Sequence, residues 1–201
     1  IRPQLKGVRN VAGVEAIAYF ERALSVLNRL PPSRRSRELA FDLHCDLRNA
    51  LVPLGRHQRL LEVLEEARRL AEALGDDGRL AQVLSFLGNY YGNVGNADLA
   101  LETGERALVL GERAGAADLL IVGNMSVGEI YRTLGKYTRA REFLGRAVAL
   151  IDPKDTTSVF GQVGLPAVRA RSHLAWTLAE LGDFDEARRL ARFELGRYAA
   201  H

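Results

Sequence analysis

The chain repeats itself every 40 residues, and no other feature limits its fold as much. Three Leu/Val-Gly pairs mark the period, Leu54-Gly55, Val94-Gly95 and Leu134-Gly135, and twelve residues after each glycine stands an alanine, Ala67, Ala107 or Ala147. A fourth pair, Leu181-Gly182, comes 47 residues on, because an extra loop intervenes. Self-similarity at about 20 to 50 residues marks a stacked array of supersecondary units. Such arrays offer an extended surface rather than a catalytic cleft.

The units are helical. Leu60, Leu61, Leu64, Ala67, Leu70, Ala71 and Leu74 follow one another at helical spacing, the stripe of an amphipathic helix. Gly75 then ends the helix as a left-handed cap, and Asp76 or Asp77 caps the next start. Gly95 and Asn96 repeat this grammar, as does Gly182 with Asp183 and, three residues later, Glu186. Helices are predicted near 12–29, 36–53, 57–74, 78–94, 97–114, 117–134, 137–151, 166–181 and 184–197. Their short connectors require antiparallel pairing. Pro31-Pro32 breaks the first connection, Pro153 ends the seventh helix, and Pro53 should bend or shorten its own.

Within a unit counted from Ala81, Gly88 stands at position 8, Tyr91 at 11, Gly95 at 15, Ala100 at 20 and Ala107 at 27. From Ile121 the same positions hold Gly128, Tyr131, Gly135, Ala140 and Ala147. Small residues let two helices approach closely, and the tyrosine fills the space beside them. This pattern resembles the tetratricopeptide repeat (TPR), with its second helix lengthened. The unit from Phe41 is degenerate: Arg48, Leu51 and Leu60 replace the Gly, the Tyr and the small residue. The unit from Val168 keeps Ala175, Gly182 and Ala187, and at the front Ala16, Phe20 and Ala23 match positions of a unit whose first helix is cut short. The fold expected is all-α, a right-handed superhelical solenoid of antiparallel helix pairs with about four and a half repeats. It forms one domain over 1–201, with units near 1–35, 36–76, 77–116, 117–153 and 164–201 and a loop inserted at 152–163.

Four phrases point further: EAIAYFERAL from Glu15, DLRNALVPLG from Asp46, AEALG from Ala71 and GLPAVRARSHLAWTLAELG from Gly164. Together they resemble the C-terminal region of bacterial signalling proteins that carry an adenylate/guanylate cyclase domain, an AAA/STAND-type ATPase and then a TPR array. That resemblance implies a cytoplasmic sensor or scaffold arm that binds a protein or peptide, or packs on its own ATPase or cyclase module. Transcriptional activators with an ATPase and a TPR-like, inducer-binding arm are similar in their helices. A self-associating adaptor, a homo-oligomer through an open repeat end, is a third reading. Ile1 in place of Met suggests a piece of a longer protein, and Phe193 to His201 depart from the expected continuation.

The parent's chemistry is not carried here. A phosphate-binding P-loop needs Gly-x-x-x-x-Gly-Lys-Ser/Thr, whereas Ile130 and Tyr137 flank Gly135-Lys136, which reads as a repeat turn. No catalytic residue, cofactor or metal is expected. His44, His57, His173 and His201 share no metal-ligand spacing, and Cys45, the single cysteine, can form no intrachain disulfide and complete no zinc site. Glu65-Glu66 and Asp76-Asp77 read as solvated surface and helix cap, since neighbours on a helix do not face each other. The net charge of +3 is interleaved with acids, which argues against nucleic acid, and no apolar run is long enough to span a membrane.

What remains is a groove. In a TPR array the first helices (A helices) line the concave face through positions 2, 5, 9, 12 and 13. The resemblance places Asp42, Asn49, Gln82, Ser85, Asn89, Asn93, Glu129, Arg132, Arg169, Ser172 and Trp176 there. The amides of Asn49, Asn89 and Asn93 suit a peptide backbone, having both donor and acceptor. Arg132 and Arg169 could clamp a carboxylate, and Trp176 is either a packing anchor or core. The carboxylate-clamp TPRs that bind chaperone tails are a poor match: Cys45 and Ser85 stand where basic residues are needed. In the loop 152–163, Phe160 either tucks back or touches a partner.

Overall fold

The structure, a computed structural model, describes residues 3–152 and 165–198, with side chains from 13 to 152 and from 165 to 192. Among these residues every regular element is helical: α1 (Pro3–Leu27), α2 (Arg34–Leu51), α3 (His57–Leu74), α4 (Asp77–Asn93), α5 (Ala97–Ala114), α6 (Ala117–Thr133), α7 (Tyr137–Leu150), α8 (Pro166–Glu180) and α9 (Phe184–Tyr198). The inserted loop with Phe160, and His201, lie outside the described residues, apart from Asp152.

Most helix bounds agree with the sequence to within two residues, for local reasons. After α3, Gly75 turns left-handed at φ 61°, its N–H reaches the Ala71 and Glu72 carbonyls, and the Asp76 N–H closes back on Ala71 at 3.3 Å. Asp76 then caps α4 by accepting from the Arg79 N–H at 2.9 Å, and Asn96 caps α5 by accepting from Leu99 at 3.3 Å. Gly135-Lys136 is a turn of this kind, with φ 70° at Gly135 and a 2.9 Å bond from the Lys136 N–H to Tyr131 O.

Two bounds differ. Helix α1 starts at Pro3 rather than near 12. Gly7 and Gly13 dilute the helical pattern ahead of residue 14, while proline at a first helical position is pre-set in φ and lacks only an orphan N–H. Helix α2 starts at Arg34, because Ser33 and Ser36 form a reciprocal capping box. It stops at Leu51 and tightens into a 3-10 turn, Val52–Leu54, around Pro53.

The chain falls into two compact units, 1–83 and 84–201, and the boundary lies inside α4. The first unit is packed by large apolar side chains. Phe41, Leu47, Leu51, Val63 and Leu64 are almost fully buried, and α2 pairs with both α1 and α3. Arg48, where other units carry a small residue, is buried and donates from Nη1 to Asn49 Oδ1 at 2.7 Å.

The second unit packs by close approach. A Cβ on Gly128 would stand 2.6 Å from Leu144 Cγ and 3.1 Å from its backbone N, and one on Gly88 would stand 3.3 Å from Ala100 O. Helices α6 and α7 therefore approach across Gly128, Leu144 and Ala140, all three in their interface. Tyr131 fills the adjacent space, stacked on Phe143 at 5.5 Å between centroids, with its hydroxyl donating to Glu105 at 3.2 Å. A core of Met125, Val127, Leu144, Ala147, Ala170 and Leu174 joins α6, α7 and α8. Each large apolar side chain fully buried is worth about 1.5–3 kcal/mol. An exposed i,i+3 pair such as Arg59–Glu62 or Arg69–Glu66 is worth at most about 1 kcal/mol, so packing holds the fold.

Candidate functional site

The groove positions separate into three groups. In the first unit Asn49 is engaged by Arg48, Gln82 is half-buried on α4, and exposed Asp42 lies 3.6 Å from Arg79. Ser85, in the second unit, is 2% exposed and belongs to the packing. The remaining residues gather in the second unit, on the A helices α4, α6 and α8.

There a cavity of about 460 Å³ is lined by Asn89, Asn93, Glu129, Arg132, Thr133 and His173, with Gly92, Ile130 and Leu134 as its apolar part. A Cβ on Gly92 would lie 3.4 Å from Ile130 Cγ1, in ordinary contact, so α4 and α6 face each other across the cavity at this point. The volume falls within the range of small-ligand sites.

Glu129 is the electrostatic hinge of this region. Arg169 Nη2 donates to both its carboxylate oxygens at 2.8 and 2.9 Å, and His173 Nε2 lies 3.2 Å from Oε1. Burial alone would raise the Glu129 carboxyl, but the His173 hydrogen bond and the Arg169 charge outweigh it and hold it below the ordinary glutamate range. Arg169, anticipated beside Arg132 as half of a clamp on a ligand's carboxylate, is thus paired within the protein.

Arg132 is placed differently. Its guanidinium carbon sits 4.3 Å from the Trp176 ring centroid, a cation–π contact. Its Nε is sealed from solvent with no hydrogen-bond partner. Among the described residues no carboxylate pairs with it. Trp176 is not core: it is 54% exposed, and its Nε1–H donates to Glu180 at 2.9 Å, which fixes the ring under the arginine.

Sequence reasoning missed His173 and the apolar lining. His173 stands four residues after Arg169 on α8, so the two share a helix face, and that spacing is the signal that could have found it.

Elsewhere the titratable groups have structural settings. Burial, with a further push from Asp42, drives the Cys45 thiol up to about 12, so it is not an activated nucleophile. Burial lowers His44 despite the nearby Glu66. Glu65 pairs with Arg68 and Glu66 with Arg69, as acids on a solvated face do. Among the described residues no three His, Cys, Asp or Glu side chains gather as a metal site would need, and no helix is long and apolar enough to cross a membrane.

Comparison with known proteins agrees with the geometry. Two segments match models described as tetratricopeptide repeat, residues 124–153 and 168–192. No curated protein matches the chain. Among solved structures, BtubC (BKLC) from P. vanneervenii superposes with a TM-score of 0.73 at 17% identity, covering 94% of this chain and 76% of that one. A Rap protein complexed with Competence and Sporulation Factor gives 0.73 at 16%, over 92% of this chain and 49% of that one. NprR in complex with its cognate peptide NprX gives 0.62 at 18%, over 87% and 49%. The chain thus spans about half the length of the last two. Its segments 124–153 and 168–192 match the tetratricopeptide repeat, and its fold is that of a TPR-like helical solenoid.

Proposed function

We propose that this chain is a non-catalytic binding arm, and that the cavity on α4, α6 and α8 receives a peptide segment. The observation that carries this reading is the convergence of the Asn89 and Asn93 amides with Arg132 and His173 on one 460 Å³ cavity. An amide side chain offers a donor and an acceptor, which is what an extended peptide backbone needs from a groove. Support comes from two structural neighbours solved with a bound factor or cognate peptide.

The finer reading places the arm at the C-terminal end of a bacterial signalling protein of the cyclase–ATPase–TPR type, where peptide or protein binding would regulate the catalytic module. Cyclase and P-loop ATPase domains encoded on the same polypeptide would agree with it; a helix-turn-helix would assign the arm to a transcription regulator instead. The binding reading is tested by selecting random peptides displayed on phage against the whole chain. Ligands are expected that lose at least about tenfold in affinity on Asn89→Ala/Asn93→Ala, the loss of one or two hydrogen bonds. Selected ligands indifferent to both changes would remove the cavity from the binding surface.

A further inference from the structure

The two arginines of the site are not equivalent, and the difference specifies the ligand. Arg169 spends its charge on Glu129. Arg132 has no carboxylate among the described residues, sits with its guanidinium carbon 4.3 Å from the Trp176 ring centroid, and lines the same cavity as Asn89 and Asn93. We infer that Arg132 is the specificity-determining residue of the groove and reads one carboxylate of the bound peptide. This rests on the peptide-groove reading and adds the chemistry of the ligand to it.

The charge balance supports a monoanion. Arg169 is matched by the Glu129 carboxylate, while the Arg132 guanidinium has no carboxylate within ion-pair reach among the described residues. One positive charge is left, at Arg132. A peptide carboxylate neutralises it, whereas a phosphate dianion would meet the Glu129 carboxylate on the same cavity wall.

Geometry supports the same ligand. The Trp176 ring, itself bonded to Glu180, holds the guanidinium in a cation–π contact at 4.3 Å. A guanidinium held this way has less rotamer freedom left to lose when its N–H groups meet a ligand. That suits a planar carboxylate, and the flanking amides of Asn89 and Asn93 can hold the backbone on either side of it. Leu134, 39% exposed on the cavity rim, offers an apolar contact for a neighbouring ligand side chain.

Trp176 is the only tryptophan, so its emission reports on the stack directly. The experiment titrates the whole chain with three pools of acetylated pentapeptides. The first pool is amidated at the C-terminus and carries Asp or Glu at its centre. The second is the same with Asn or Gln. The third has Asn or Gln at the centre and a free C-terminal carboxylate. Calorimetry gives the affinities. The first or third pool should shift Trp176 emission saturably and bind about tenfold or more tighter than the second, a charge-assisted bond's worth; which of the two prevails says whether a side chain or a chain end supplies the carboxylate. Arg132→Gln should erase that preference while leaving the circular dichroism and melting temperature in place. The wild-type comparison decides the matter even should the variant not fold. Equal affinity for all three pools overturns the carboxylate assignment and leaves the peptide groove standing. Preference retained in Arg132→Gln overturns the role of Arg132. No binding by any pool overturns both readings.

Discussion

The helix pair α2–α3 and the helix pair α6–α7 have one architecture and opposite packing chemistry. At repeat position 8 the first pair has Arg48 and the second has Gly128; at position 20 they have Leu60 and Ala140. Gly128 brings α7 so near that a β-carbon would strike Leu144, whereas α2 and α3 meet through Phe41, Leu47, Leu51 and Leu64, with Arg48 sealed against Asn49. The repeat motif is therefore one of two ways to hold a helical hairpin. Close backbone approach does it with small residues; interdigitated bulk does it without them. The polar cavity is built in the second unit, the one that carries the close-packed pair.

The sharpest way to break this contrast is to shrink the bulky pair. Phe41→Ala, at a side chain 1% exposed, should cost about 3–5 kcal/mol, read as a lower denaturant midpoint. The reverse operation on the close-packed pair, Gly128→Val, should cost about 2–3 kcal/mol from overpacking. Adding Leu144→Ala should then recover part of that loss, since Leu144 Cγ is the atom in the way. A Gly128→Val chain as stable as wild type would show that proximity is not what holds α6 to α7. Gly95→Ala separates steric from backbone cost: nothing lies within 4 Å of its β-position, but φ is 83°, so about 1 kcal/mol should be lost to backbone strain alone.

The smallest effect is electrostatic and belongs to the cavity. The Glu129 carboxyl sits below its unfolded value, so its contribution to stability is complete above the ordinary glutamate range and fades as pH falls through the depressed value. Melting temperature measured from neutral to strongly acid pH should fall less steeply at its acid end in Glu129→Gln than in wild type. Parallel profiles would mean that Arg169 and His173 do not stabilise the ionised form.

Much of the fold was legible because it is written locally. Gly75, Gly95 and Gly135 mark their turns by residue type alone, and Asp76 and Asn96 announce the starts that follow. The start of α1 was not legible, because its first turns carry glycines instead of a clear apolar stripe. Part of the candidate groove follows register: Asn89, Asn93, Glu129 and Arg132 came from repeat positions, and these four line one cavity. Which arginine is committed does not, since Glu129 and Arg169 are 40 residues apart and only packing of α6 beside α8 pairs them. Ser85 shares that register, yet it is only 2% exposed, which no count along one helix reveals.

The glycine turns carry a consequence for how the molecule comes into being. At residues 75, 95, 115, 135 and 182 the backbone reverses through hydrogen bonds that reach back only a few residues. Helices that meet across such a turn are sequence neighbours, and chains dominated by short-range contacts fold fast. A hairpin can therefore begin to form from sequence neighbours alone, without waiting for distant parts of the chain. Any hairpin of the array can start the folding, and each helix that joins it finds a surface already formed on which to settle.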